Sequence, residues 1–371
     1  MKILYGVQGT GNGHITRARA MAHELNLAGV EVDYLFSGRP REQLFDMEAF
    51  GDFQHRAGLT FTVRDGRIRP LATLADSRPR EFVRDLRALK VEDYDLVLTD
   101  YEPVSAWAGK LRGVRVVGLG HQYAFRHAIP QYRGNPAQRW LMRHFAPAQL
   151  TLGLHWHHFD QPILPPIAPV DTHNASCERG KLLVYLPFEE LDAITELLEP
   201  FTDQRCHIYH PQASAVTARH RLTHLHWHRP CRDGFQRDLL RCEGVICNAG
   251  FELASETLQL GKKLLVKPVS GQPEQLSNAL ALDLLGYGHV MNQLERAKVA
   301  DWLTGARGTG IVYPNVAAAI CTWLVDGARG DIGELAASLW TQTLLPDMTP
   351  LTRTDGNLHA LPTHFRRKSH G

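Results

Sequence analysis

The sequence predicts an α/β fold of two doubly wound domains, and three observations carry that expectation. The 371 residues exceed what one typical hydrophobic core serves, so about two domains are expected. Two separate stretches run from an apolar strand through a glycine turn into a helix, the unit that opens such a domain. Between them lies a proline-rich segment, with prolines at 162, 165, 166 and 169, that reads as a stiff linker.

Composition bounds the class. Hydrophobic content of 44% and charged content of 22% are those of an ordinary globular protein. The longest uncharged apolar run, 316–325, is about half of a membrane span, and the chain enters a strand directly at its start, so neither a membrane helix nor a secretory signal is expected. Six cysteines without a C-x-x-C spacing suit buried thiols in a reducing cytoplasm. The net charge of +2 conceals an asymmetry: residues 1–150 hold 21 Lys and Arg against 16 Asp and Glu, the remainder 20 against 23. No nucleic-acid partner is expected, while the mildly basic first half leaves peripheral contact with the inner face of a membrane open.

The first domain opens with a strand at 2–7 and the loop Gln8-Gly9-Thr10-Gly11-Asn12-Gly13-His14, after which Ile15, Ala18 and Leu25 mark a helix. Glycines there let a ligand approach the backbone. The second strand, 30–36, ends in Ser37-Gly38 without the acid a dinucleotide site needs, which disfavours a dehydrogenase. A histidine can take a proton from an attacking hydroxyl, a role open to His14; alternatively it only bonds within its own turn. Residues 45–89 are rich in Arg and read as short strands and a helix. Strands at 95–99 and 114–119 end in Asp100-Tyr101-Glu102 and His121-Gln122, polar clusters at the carboxyl edge where open sheets bind ligands. Asp100, Glu102, His121 and Gln122 are therefore candidates; the plain alternative is that Asp100 and His121 cap helices or pair with each other. Asp93-Tyr94-Asp95 matches a metal-binding D-x-D pattern but precedes its strand, on the wrong edge.

After a strand at 150–154 the boundary is expected in the linker, giving domains 1–160 and 181–316 with 161–180 between them. Histidine pairs 155/157 and 226/228 invite a metal, yet no carboxylate or Cys partner stands at ligand spacing, and none is expected. Strands at 182–186, 205–209 and 225–228 lead to Arg229-Pro230-Cys231. The run 244–250, Gly-Val-Ile-Cys-Asn-Ala-Gly, is again strand and glycine turn, with Asn248 and Gly250 at its end. In the helix that follows, Phe251, Ala254 and Leu258 face inward, and Glu252 and Glu256 share another face. A helix leaving a glycine turn presents unpaired amides and a positive dipole end to a phosphate, and a carboxylate two turns in reaches the hydroxyls of a ribose. The strand 262–268 then runs into Gln272, Glu274 and Gln275, planar polar groups at the ligand edge. Helices at 293–303 and 317–324 follow, and 346–371 reads as a mobile tail.

The runs Asn-Ala-Gly-x5-Glu, Gly-Lys-x5-Pro and Glu-Gln-x2-Asn-Ala resemble the donor half of inverting GT-B glycosyltransferases, of which the peptidoglycan N-acetylglucosaminyltransferase is the best-known relative. Gly13-His14 matches that family's Gly-His placement, with a loop one residue longer. The resemblance implies two Rossmann-like domains facing a cleft, last helices (317–345) returning to the first domain, and metal-independent transfer of a sugar from a nucleoside diphosphate, UDP by expectation. The acceptor hydroxyl stays open between a lipid-linked molecule and a saccharide. It implies His14 as base with Asp100 or Glu102, Gly11, Asn12, Gly13 and Gly250 at the diphosphate, Arg229 near the base, Glu256 on ribose, and Glu274 with Gln275 on the sugar. Arg17, His121 and Gln122 fall on the acceptor side. The family enzyme has Gln where Glu274 stands, so the sugar is expected to differ. Gly13-His14-Ile15-Thr16-Arg17 also resembles the G-H-x-x-R segment of UDP-sugar hydrolases of the same fold, which keeps hydrolysis as an alternative. A sugar-nucleotide 2-epimerase and a non-catalytic nucleotide-sugar sensor are further alternatives.

Overall fold

A computed structural model of the chain describes residues 1–59, 63–64, 67–68, 79–132, 136–305 and 308–345. The tail at 346–371 and Arg69 and Arg78 of the Arg-rich stretch lie outside them.

The first lobe runs β1 (Lys2–Gln8), α1 (Asn12–Leu27), β2 (Glu31–Ser37) and β3 (Gln54–Arg56), then the short hairpin β4 (Val63–Arg64) and β5 (Arg67–Ile68). It continues through α2 (Pro79–Ala88), β6 (Leu96–Asp100), α3 (Pro103–Arg112), β7 (Val116–Gly120), α4 (His121–Ala124), α5 (Pro136–His144) and β8 (Leu150–Gly153). The second lobe runs β9 (Lys181–Tyr185), α6 (Leu191–Leu198), β10 (Arg205–Tyr209), β11 (Leu225–His228), α7 (Arg232–Arg241) and β12 (Gly244–Asn248). After these come α8 (Phe251–Gln259), β13 (Lys263–Lys267), α9 (Pro273–Leu285), β14 (His289–Val290), α10 (Arg296–Thr304), α11 (Val316–Val325) and α12 (Ile332–Gln342).

Each lobe is built on a six-stranded sheet, ordered β3-β2-β1-β6-β7-β8 in one and β11-β10-β9-β12-β13-β14 in the other. All pairings in both sheets are parallel. The order of both sheets is the doubly wound one, and it reverses between β1 and β6 and again between β9 and β12. Ligands of such sheets bind beyond the strand ends at that reversal, because the helices on either side diverge there. The two glycine turns, 9–11 and 249–250, occupy those two places.

Strands buried on both faces read as continuous apolar runs, which is why β1, β6, β7, β9 and β12 were visible in the sequence. The apolar core does not stop at either lobe: one cluster joins Ile3, Val7 and Ile15 to Trp156, Phe251 and Trp323. The proline-rich segment is packed rather than free, with Ile163 and Leu164 fully buried and Leu164 bridged to Leu154. Beyond the second sheet α11 packs on α1, where Asn315 Nδ2 donates to Glu24 Oε1 at 2.9 Å. Arg115 of the first lobe donates to the carbonyls of Gly327 and Ala328, and Trp340 of α12 to that of Ile163. Among the described residues no helix is long and apolar enough to cross a membrane.

Candidate active site in the cleft

The loop after β1 brings His14 onto the first turn of α1, and the end of β6 places Asp100 beside it. His14 Nδ1 lies 2.7 Å from Asp100 Oδ1. Arg17, one turn further along α1, donates from Nε to Asp100 Oδ2 at 2.7 Å and from a terminal nitrogen to Oδ1 at 2.5 Å. Its other terminal nitrogen pairs with Glu252, from the first turn of α8 in the opposite lobe. Asp100 and Arg17 are fully buried, whereas the His14 side chain keeps 15% of its surface open. Burial alone would raise the Asp100 carboxyl, but the Arg17 guanidinium and His14 outweigh it and hold it below its ordinary value. A terminal nitrogen of Arg17 also lies 3.0 Å from His14 Nδ1; an anionic Asp100 favours the tautomer with the proton on Nδ1 and the lone pair on Nε2, the requirement for a general base.

Two helix N-termini face each other here. Gly11 before α1 and Gly250 before α8 offer no side-chain cap, so the first amides of both helices keep their donors. A Cβ at Gly250 would meet nothing within 4 Å, which marks open space, whereas one at Gly13 would strike Glu252 at 2.7 Å. Asn12 spans the gap, donating to Tyr185 Oη at 3.3 Å and accepting from Arg39 at 2.8 Å.

Beside this junction a cavity opens to solvent between the lobes, walled by Gly13 and Arg19 on one side and by Tyr185, Phe235, Glu252 and Glu256 on the other. Glu256 is 4% exposed, and its Oε1 has no partner. Burial, against a weaker hydrogen bond from Gln236, pushes its carboxyl up to about 7. An unpartnered acceptor in a cavity wall is where a ligand hydroxyl would be held.

Other expected site residues are braces. Glu102 caps α3, accepting from Val104 N at 2.8 Å, Ser105 N at 2.6 Å and Ser37 Oγ at 2.7 Å. It is fully buried and stands apart from the His14 pair, so of the two carboxylates only Asp100 meets that histidine. Gln275 Oε1 accepts from Val269 N at 2.9 Å and holds the β13–α9 turn. Gln272 precedes α9 without a side-chain capping bond. Gln122 donates to Glu274 at 3.0 Å across the lobes, leaving its own buried Oε1 without a partner. His121 is fully buried, its Nδ1 2.8 Å from Leu154 O and its Nε2 2.5 Å from Asn278 Oδ1, with its ring stacked on Phe251 at 4.0 Å. Burial lowers its pKa. Asn248 donates to Lys267 O and to Glu189, which is paired with Lys267 at 2.6 Å. Arg229 is exposed at the end of β11, and the next three residues, Pro230, Cys231 and Arg232, line the cavity instead. Asp93-Tyr94-Asp95 lies before β6, at the edge opposite His14, where Asp95 accepts from Lys2 N.

The contribution of Tyr185, Phe235 and Gln236 to the cavity was not read from the sequence. Tyr185 ends β9 at the reversal of strand order, a signal that could have found it; Phe235 and Gln236 lie on α7, where nothing local sets them apart.

The fold is that of solved sugar transferases. The spinosyn rhamnosyltransferase SpnG in complex with thymidine diphosphate superimposes with a TM-score of 0.56 at 17% identity, over 92% of this chain and 100% of that one. The spinosyn forosaminyltransferase SpnP gives 0.55 at 13%, over 92% and 99%. The glycosyltransferase VinC in complex with dTDP gives 0.51 at 15%, again over 92% and 99%. At such identities the likeness concerns the fold, two Rossmann-like lobes in the GT-B arrangement. No curated protein sequence matches the chain. The sequence profile described as glycosyl transferase family 1 matches residues 1–306, most of the chain and both sheets, and the protein therefore belongs to that glycosyltransferase family.

Proposed function

We propose that the protein transfers a sugar from a nucleoside diphosphate, uridine diphosphate, to an acceptor hydroxyl with inversion and without a metal ion. The observation that carries this reading is the His14–Asp100 pair standing beside two helix N-termini that lack caps. His14 Nε2 takes the proton of the acceptor hydroxyl, and the oxygen attacks the anomeric carbon from the face opposite the diphosphate. The anomeric C–O bond breaks, its electron pair leaves with the diphosphate, and Asp100 stabilises the imidazolium. The first amides of α1 and α8 hold the charge gathering on the leaving group, the part a metal plays in other transferases.

Glu256 suits the vicinal hydroxyls of a ribose, which favours uridine over the deoxynucleotide bound by two of the structural neighbours. Glu274 and Gln122 line the sugar side. The acceptor is placed in an open depression against Gln122, lined also by Phe125, Arg126, Trp140 and Arg143. Trp140 is 64% exposed, so an acceptor with an apolar part and an anionic group, as in a lipid-linked phosphate, matches this wall better than a neutral saccharide. That choice implies peripheral membrane contact, and we propose a cytoplasmic site of action beside it.

The test is release of UDP from UDP-sugars with and without candidate acceptors. Release that requires the acceptor, inverts the anomeric centre and is unchanged by added magnesium supports the proposal. Equal release of free sugar without acceptor would make the protein a hydrolase, and tight binding without turnover would make it a sensor.

A further inference from the structure

We propose that His207, His228 and Asp238 form a binding site for one divalent transition-metal ion, zinc by ligand chemistry, at the edge of the second sheet. The parallel pairing of β10 with β11 sets His207 opposite His226 and Tyr209 opposite His228, so these four rings share one face. Asp238 arrives from α7 and supplies the carboxylate missing from the local sequence around the histidines. His207 Nδ1 lies 3.2 Å from His228 Nε2 and 3.2 Å from Asp238 Oδ2, and ligand atoms of the three residues all fall within 4.8 Å of one another. Zinc held tetrahedrally at about 2.0–2.1 Å keeps its ligand atoms about 3.3 Å apart, so two edges of that polyhedron already exist.

Proton counting points the same way. His207 Nδ1 carries at most one hydrogen, yet both a carboxylate oxygen and a second imidazole nitrogen converge on it. A cation among the three would satisfy every one of those lone pairs. The carboxylate is oriented as metal ligands commonly are: Tyr209 Oη donates to Oδ2 at 2.7 Å, and Lys181 Nζ lies 3.1 Å from Oδ1. Two nitrogens and one oxygen select zinc over magnesium or calcium, which require oxygen ligands. Asp238 is 2% exposed, so the site is anchored inside the protein while the histidines remain reachable from solvent.

The ion would not take part in transfer. Its effect would pass through Tyr209, which stacks on His228 with ring centroids 4.8 Å apart and forms part of the wall of the cleft cavity. Zinc would thus tie β10, β11 and α7 together behind the nucleotide.

The experiment titrates cobalt(II), then zinc, into the full-length chain after removal of metals, following visible absorption and the thermal midpoint. One cobalt per chain with the intense bands of four-coordinate geometry, displaced by zinc, and a zinc-dependent rise in midpoint are expected. His228→Gln should weaken binding by at least about tenfold, the lower end of what loss of even an outer-shell partner costs, and abolish the rise in midpoint. His173→Ala, at an exposed histidine outside the cluster, should bind as the wild type does. Absence of stoichiometric binding would overturn the proposal, and so would equal affinity in His228→Gln, which would show that scattered histidines bind the metal without a built site.

Discussion

His14 can serve as a base only through Nε2, since Nδ1 is enclosed by Asp100 at 2.7 Å and Arg17 at 3.0 Å. Asp100→Asn would offer a neutral partner that can present its NH₂ to the ring and stabilise the wrong tautomer. It would also leave Arg17 buried beside one carboxylate instead of two. We therefore expect kcat to fall by about a hundredfold or more with the nucleotide Kd little changed, and stability to fall by about 3 kcal/mol, measured by steady-state kinetics and urea denaturation. Glu256 gives a prediction on pH. Burial raises its carboxyl from 4.5 to about 7, so the folded state binds a proton that the unfolded state has lost. Stability contributed by the protonated form is complete below about pH 4.5 and is lost as pH rises through about 7. Glu256→Gln should therefore gain up to about 3 kcal/mol on the wild type between pH 5 and pH 8 in urea titrations. A constant difference between the two proteins would show that the carboxyl titrates normally.

At the scale of elements, α3, α11 and α12 are closed by Glu102, Asn315 and Asp331, whereas α1 and α8 begin at glycines with no side-chain cap. Helices α6, α7, α9 and α10 also begin without a side-chain cap, and α1 and α8 are the candidate binding turns because they do so at glycines beside the cleft. Gly250 has φ −75°, which any residue adopts, and an added Cβ would meet nothing, so the fold itself does not require glycine there. Gly250→Val should leave the urea midpoint unchanged while raising the Kd for UDP about tenfold, read by calorimetry, because the side chain would stand where phosphate approaches. Unchanged affinity would remove α8 from the diphosphate site. These elements were legible because they are local: continuous apolar strands, glycine turns and helical spacing all lie within one stretch. What escaped was non-local. That Glu102 also accepts from Ser37 depends on β2 and β6 being brought to the same edge, and the metal cluster needs β10, β11 and α7 together. The short strand β14 escaped for another reason, since two residues are too few to show the period of a strand.

For the whole molecule, the lobes are coupled by more than a linker. Arg17 with Glu252, His121 with Asn278, Gln122 with Glu274 and Trp156 with Ser255 all cross between them, and one apolar cluster runs through both. A continuous core makes separate melting of the lobes costly, so scanning calorimetry of the ligand-free chain should show one cooperative transition. Two resolved transitions would mean that these contacts hold only weakly. The cleft brings a buried carboxylate–histidine pair from one sheet against the helix ends and Glu256 of the other, and the proposed chemistry needs all of them at once. Its most direct test is the single-turnover rate of sugar transfer by His14→Ala against the wild type, at saturating UDP-sugar and acceptor. The account predicts a fall of at least about a hundredfold with UDP affinity retained; equal rates would contradict it.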